Sequence, residues 1–147
     1  MSRAFPPIAE LLPHTGRAIL VDAVSAHTDS TTTATVTITP AHAYFENGHG
    51  VPAWVGIEMM AQVIAAHGAL EARAHDDTRP RQGMLLGTRH YDGRVAWFAE
   101  GARLDVHIER SFGHNGGGMA ACDCRIEQAG RVLATATVII VEQEVLP

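Results

Sequence analysis

The chain has 147 residues, 46% hydrophobic and 18% charged, with a formal net charge of -5. That is the length of one domain, residues 1–147, able to bury about 70% of its unfolded surface. Its eleven cationic residues are all arginine and stand against 16 acids, which excludes the basic footprint of a nucleic-acid binder.

The first residues hold no continuous apolar core of the kind a secretory signal needs. Ile8, Leu11 and Leu12 fall at helical spacing before Pro13 and predict a short helical turn. Residues 18–25, rich in branched side chains, read as a strand buried on both faces. Residues 31–39 alternate cleanly, with Ala34, Val36 and Ile38 against Thr33, Thr35, Thr37 and Thr39. This is the pattern of a half-buried antiparallel strand, entered by a turn at Asp29-Ser30.

Residues 45–73 organise the chain. A polar, glycine-bearing loop with His49 between Gly48 and Gly50 leads through Pro52 into one long apolar segment. Pro52 suits a first helical turn, and a helix from there to Arg73 would run about 30 Å. It carries apolar residues on nearly every side, so it is expected to be buried all round. The segment is long enough for a membrane span, but Glu58, Gln62, His67, Glu71 and Arg73 interrupt it and exclude insertion. Glu58 and Gln62 lie one turn apart on one face. A carboxyl in that sleeve is either an acid favoured by the helix N-terminus or, with His49 just upstream, half of an acid–base pair.

Beyond the helix, residues 75–82 are polar and read as a surface loop. Residues 84–91, 95–99, a run holding Leu104, Val106 and Ile108, a run from Ala120 to Ile126, and 132–141 read as strands. Turns are expected at Asp92-Gly93, Glu100-Gly101, Gly116-Gly117-Gly118 and Ala129-Gly130. No helix start follows the glycine triplet, so a hairpin tip is expected there rather than a phosphate cradle. Cys122 and Cys124 share one strand face and read as core thiols of a reduced, cytoplasmic protein. The nine histidines form no metal-ligand motif, and no metal is expected. Two strands, one long helix and a run of antiparallel strands make an α+β layer fold, one curved sheet wrapping the helix. Its unpaired edges invite a second copy.

In this order the segments resemble the hot-dog fold, and within it the β-hydroxyacyl-acyl carrier protein dehydratases. Leu12-Pro13-His14 followed by Ile19-Leu20-Val21-Asp22-Ala23-Val24 is similar to that family's opening. Glu58-Met59-Met60-Ala61-Gln62 is similar to its helix motif, and Gly48-His49 to the start of its active-site loop. The Pro-Ala-Trp-Val-Gly-Ile-Glu stretch resembles a branch of predicted dehydratases associated with aryl polyene biosynthesis, with a loop after His49 shorter than the family's.

The resemblance implies conversion of 3-hydroxyacyl-carrier thioesters to trans-2-enoyl thioesters, in fatty acid or aryl polyene lipid biosynthesis. It implies no cofactor beyond the carrier's own phosphopantetheine. His49 would be the base, with His42 the alternative, and Glu58 the acid. Gln62 would orient Glu58 or hold a water, and backbone N–H groups from Trp54 to Gly56 would polarise the thioester carbonyl. It also implies a site shared between two hot-dog subunits, in a homodimer or a heterodimer, and an acyl carrier protein as partner. Arg79, Arg81, Arg89, Arg94 and Arg103 would form a docking patch for that carrier, or else be scattered solvated charges. A hot-dog thioesterase using Glu58 alone, and a non-catalytic subunit serving an active partner, are the other two readings.

Overall fold

The computed structural model describes residues 4–76, 81–113 and 118–144, with side chains left undescribed at 81–86 and 142–144. A short helix α1 (Ile8–Leu11) and a 3-10 turn (Gly16–Ala18) precede strands β1 (Ala23–His27) and β2 (Thr31–Thr37). A two-residue strand β3 (Val51–Pro52) and a 3-10 turn (Ala53–Val55) lead into helix α2 (Gly56–Ala74). Strands β4 (Arg81–Gly93), β5 (Trp97–Phe98), β6 (Arg103–Phe112), β7 (Met119–Gln128) and β8 (Arg131–Glu144) follow.

Six strands form one antiparallel sheet in the order β1-β2-β6-β7-β8-β4, and β3 pairs with β5 in a separate ribbon. Helix α2 packs across that sheet and touches each of its six strands. The alternation in sequence sets the register. Ala34 opposes Val106, Val106 opposes Ile126, and Ile126 opposes Ala134. These four residues cross four strands as one row, and all are fully buried. A slip of one residue on any strand would turn its share of that row to solvent. Met59, Met60 and Val63 of α2 close the core from the other side.

Several expectations need correction. Pro52 does not open the helix but lies in β3, and α2 starts at Gly56 after the 3-10 turn. Asp92 and Gly93, expected to turn the chain, are still paired in β4, opposite Thr135 and Ala134. The strand read over residues 18–25 is shorter, Ala23–His27, and is an edge strand with one face outward. The preceding Leu20 and Val21 are core residues outside it, and a bulge between Val24 and Ala26 interrupts its ladder, as sheet edges often show. Helix α2 is not buried all round either. Ile57, Ala61, Ala65 and Gly68, at i, i+4, i+8 and i+11, stay half-exposed in a stripe. The sheet wraps only part of the helix circumference. Residues 53–74 are long and apolar enough to cross a membrane, yet 61% of the apolar window is buried inside the fold. That burial marks a core helix.

The hairpin joining β7 to β8 turns at Ala129-Gly130 as expected, and β6 pairs with β7. Gly116 and Gly117 lie outside the described residues. Cys122 and Cys124 are buried on the inner face of β7. Burial pushes the Cys124 thiol far up, helped by Cys122 and Asp123, so it stays protonated and inert. At the C-terminal end of α2, Glu71 Oε1 lies 2.8 Å from His27 Nε2. Thr32 Oγ1 bridges His27 Nδ1 (2.8 Å) and His67 Nδ1 (2.7 Å), tying β1 and β2 to the helix.

Candidate active site

Glu58 sits in the first turn of α2, and the chain before it fixes where that turn begins. Pro52 pairs with Trp97, the Ala53 N–H donates to the Ala96 carbonyl, and the Tyr91 hydroxyl donates to the Ala53 carbonyl. Burial pushes the Tyr91 hydroxyl up from its ordinary value, so it remains a donor. A Cβ on Gly56 would meet the Tyr91 hydroxyl at 2.8 Å and Ile126 Cδ1 at 2.9 Å. Gly56 is therefore required by packing. Its N–H is turned back onto the Ala53 and Trp54 carbonyls, which corrects the expectation that it polarises a substrate. Trp54 lies on the surface, 57% exposed, edge-on to Tyr44 at 5.5 Å.

The Glu58 carboxyl is half-buried and, among the described residues, makes no hydrogen bond or ion pair. It lines a cavity of about 350 Å³ together with His14, Arg17, Leu20, Tyr44 and Gln62. An acidic group held half out of water with no protein partner is free to exchange a proton with a ligand.

Gln62 has a different task from the one expected. Its Oε1 accepts the Leu20 N–H at 2.8 Å and its Nε2 donates to the Ala18 carbonyl at 2.6 Å. Both ends of the amide are committed to backbone. Gln62 therefore fixes the cavity wall rather than orienting Glu58.

His49 is not in this cavity. It is exposed and stacks on Trp97, ring centroids 4.4 Å apart and planes 16° from parallel. Its loop is closed, not loose. The Glu46 N–H donates to the Gly50 carbonyl at 2.7 Å, and the His49 and Gly50 N–H groups return to the Glu46 carbonyl. Gly50 has φ +121°, and a Cβ there would fall 2.1 Å from the Phe98 carbonyl oxygen, so only glycine lets the loop lie against β5. One chain thus carries Glu58 in a cavity and His49 outside that cavity's lining.

His42 receives the Tyr44 N–H on Nδ1 at 3.2 Å, and its Nε2 is buried without a partner. Burial lowers its pKa, and Asp22 only partly offsets this. The bond to Tyr44 uses the Nδ1 lone pair, so the neutral ring carries its proton on Nε2 and offers a donor. That geometry does not suit a general base.

The model of the ApeP-like family, described as ApeP dehydratase, matches residues 6–146. The chain belongs to the ApeP-like dehydratase family. No curated protein sequence matches it. The dehydratase heterocomplex ApeI:P from Xenorhabdus doucetiae superposes with a TM-score of 0.86 at 26% identity, over 95% of this chain and 93% of that one. A thioesterase variant from Pseudomonas aeruginosa reaches a TM-score of 0.62 at 10% identity, over 84% of this chain and 81% of that one. A thioesterase from Haemophilus influenzae reaches 0.60 at 9% identity, over 85% and 80%. At such identities the thioesterases show the fold alone. The hot-dog architecture expected from the order of elements is the one found.

Within this ApeP-like chain the expected arginine patch is not assembled among the described side chains. Arg103 starts β6, next to β2, whereas Arg89 lies on the edge strand β4 and Arg94 just after it. Three strand spacings, roughly 14 Å, separate β6 from β4. Arg94 also lies 3.6 Å from Asp92. Arg79 falls outside the described residues, as does the Arg81 side chain. His14 lines this cavity without being singled out by the sequence. There Leu12-Pro13-His14 marks only the chain's opening, and nothing in the local pattern says that this loop shares a cavity with Glu58.

Proposed function

We propose that this chain takes part in dehydrating a 3-hydroxyacyl thioester to the trans-2-enoyl thioester, paired with a second hot-dog subunit. The observation that carries the reading is that Glu58 lines a cavity whose wall does not include His49. Each chain offers a partnerless carboxyl in a cavity and an exposed, stacked imidazole outside its lining, the arrangement expected of a site completed across a subunit boundary. The half-exposed stripe Ile57, Ala61, Ala65 and Gly68, with Trp54 above it, supplies a helix face for the partner to cover. The family match and the similarity to a dehydratase heterocomplex support a partner of the same fold.

In the proposed reaction a histidine removes a proton from C2 of the acyl chain, and the electron pair forms the C2–C3 double bond. The C3–O bond breaks as Glu58 hands its proton to the departing hydroxyl, which leaves as water. The C2 proton held by the histidine restores the acid through solvent. Glu58 must enter protonated, and a partner laid over α2 would exclude water from the site. The acyl group would ride on the phosphopantetheine of an acyl carrier protein, in fatty acid or aryl polyene biosynthesis.

Mass spectrometry of a 3-hydroxyacyl carrier incubated with the protein, alone and co-purified with a hot-dog dehydratase partner, tests this. Loss of one water from the carrier-bound acyl group is expected in the paired sample. Release of free acid instead would make the chain a thioesterase. An unchanged carrier in both samples would sink the reading.

A further inference from the structure

The segment between α1 and β1 is held over the helix at both ends. Leu11 and Leu12 are buried at its start, and Gln62 grips Ala18 and Leu20 at its end. Gly16, at φ +56°, turns the chain into the 3-10 helix between them. This clamp sets His14 into the wall of the cavity that holds Glu58. His14 is half-buried, its Nδ1 is shielded from water, and that nitrogen has no hydrogen-bond partner.

Buried polar atoms in folded proteins are almost always paired. Here a histidine with an unpaired ring nitrogen and a glutamate with an unpaired carboxyl line the same cavity. His42 spends its Nδ1 on Tyr44, and His49 stacks on Trp97 outside the cavity. Leu20, Ala43 and Tyr44 line the same cavity, and of its other polar side chains Gln62 is committed to backbone and Arg17 is exposed, so the imidazole and the carboxyl mark where a ligand oxygen is wanted.

We propose that His14 is a substrate-binding residue: its ring turns about the Cβ–Cγ bond when the ligand enters, so that Nδ1, shielded from water in the free protein, forms a hydrogen bond to the oxygen on C3 of the acyl chain. The inference rests on the dehydratase reading above and deepens it. An alcohol oxygen has room for both groups, one lone pair taking the Glu58 proton and the other accepting from an Nδ1–H. The bond selects the 3-hydroxyacyl ligand over the unsubstituted acyl chain, which would leave Nδ1 unpaired.

The test measures binding without turnover, in a Glu58→Gln background and with the partner subunit where one co-purifies. The probes are the N-acetylcysteamine thioesters of 3-hydroxyoctanoate and octanoate, titrated calorimetrically. With His14 present the hydroxylated ligand should bind about tenfold more tightly, the scale of one net hydrogen bond. His14→Asn places an amide nitrogen close to the imidazole Nδ1 position and should keep the preference. His14→Gln places it near Nε2 instead and should lose the preference, as should His14→Leu. Circular dichroism confirms folding, and the two polar variants suffice if the leucine variant does not fold. Equal preferences in the asparagine, glutamine and histidine proteins overturn the assignment of His14 alone. If neither thioester binds the Glu58→Gln protein, the cavity is not an acyl site, and the dehydratase reading falls with it.

Discussion

Gln62 accepts the Leu20 N–H at 2.8 Å and so joins the middle of the central helix to the chain entering the first strand. The same amide donates to the Ala18 carbonyl. One side chain, 42 residues from Leu20 in sequence, sets the wall facing Glu58. Gln62→Leu removes both bonds and leaves two backbone groups short of partners. A loss of about 2–4 kcal/mol is expected, read by denaturant unfolding. Gln62→Glu should cost a similar amount above neutral pH, since an ionised carboxylate cannot donate to Ala18.

Glu58→Gln keeps shape and hydrogen-bonding capacity but removes the transferable proton. Because the Glu58 carboxyl has no partner among the described residues, its thermal midpoint should be nearly unchanged. Turnover should drop at least about 100-fold. A variant that dehydrates substrate at the normal rate would remove Glu58 from the chemistry.

His49 and His42 separate by paired substitutions. His49→Ala removes the ring stacked on Trp97 and should slow turnover by about 10² to 10⁴ if it serves a partner's site. His42→Ala should leave the rate nearly intact, because its Nδ1 is already bonded to Tyr44. The reverse result would reassign the base. Gly50→Ala is a sharper structural probe of the same loop. With the Phe98 carbonyl in the way of a Cβ, it should displace the loop and behave like loss of His49.

Assembly is expected to depend on the half-exposed face of α2. Light scattering should give a mass near twice 15.7 kDa, or a complex with a second hot-dog subunit. Ala65→Glu puts a charge in the middle of the stripe and should dissociate the assembly while the isolated chain stays folded. A stable, active monomer would contradict the shared-site reading.

The network at the far end of α2 predicts a pH dependence of stability. Burial and the neighbouring His27 lower the His67 pKa from 6.5 to about 4. Between those values the unfolded chain binds a proton that the native one does not. Stability is therefore full above about pH 6.5 and falls as pH drops towards 4, by about 3 kcal/mol in total. His67→Asn keeps a donor towards Thr32 and removes the titration. Its unfolding free energy should change less with pH over that range. An identical slope would show that another group controls it.

Local periodicity was enough to specify much of this protein. Alternation at Ala34, Val36 and Ile38, and at Leu104, Val106 and Ile108, identified the inward faces of β2 and β6. The apolar run after Pro52 identified the central helix, because burial imposes its period on neighbouring residues. The extent of helix burial was not legible. Small residues such as Ala61, Ala65 and Gly68 look alike in sequence whether a sheet covers them or not. The site was legible only as residue types. Glu58 stood out as a carboxyl in an apolar helix, but the partners of Gln62 and the placement of His14 depend on contacts 42 to 44 residues apart. Those contacts form only when the sheet closes over the helix, and no local pattern encodes which loop then meets which turn. The same holds for His49, since flanking glycines alone do not say where a loop lies. Tertiary packing against Phe98 and Trp97 instead holds the loop in one place.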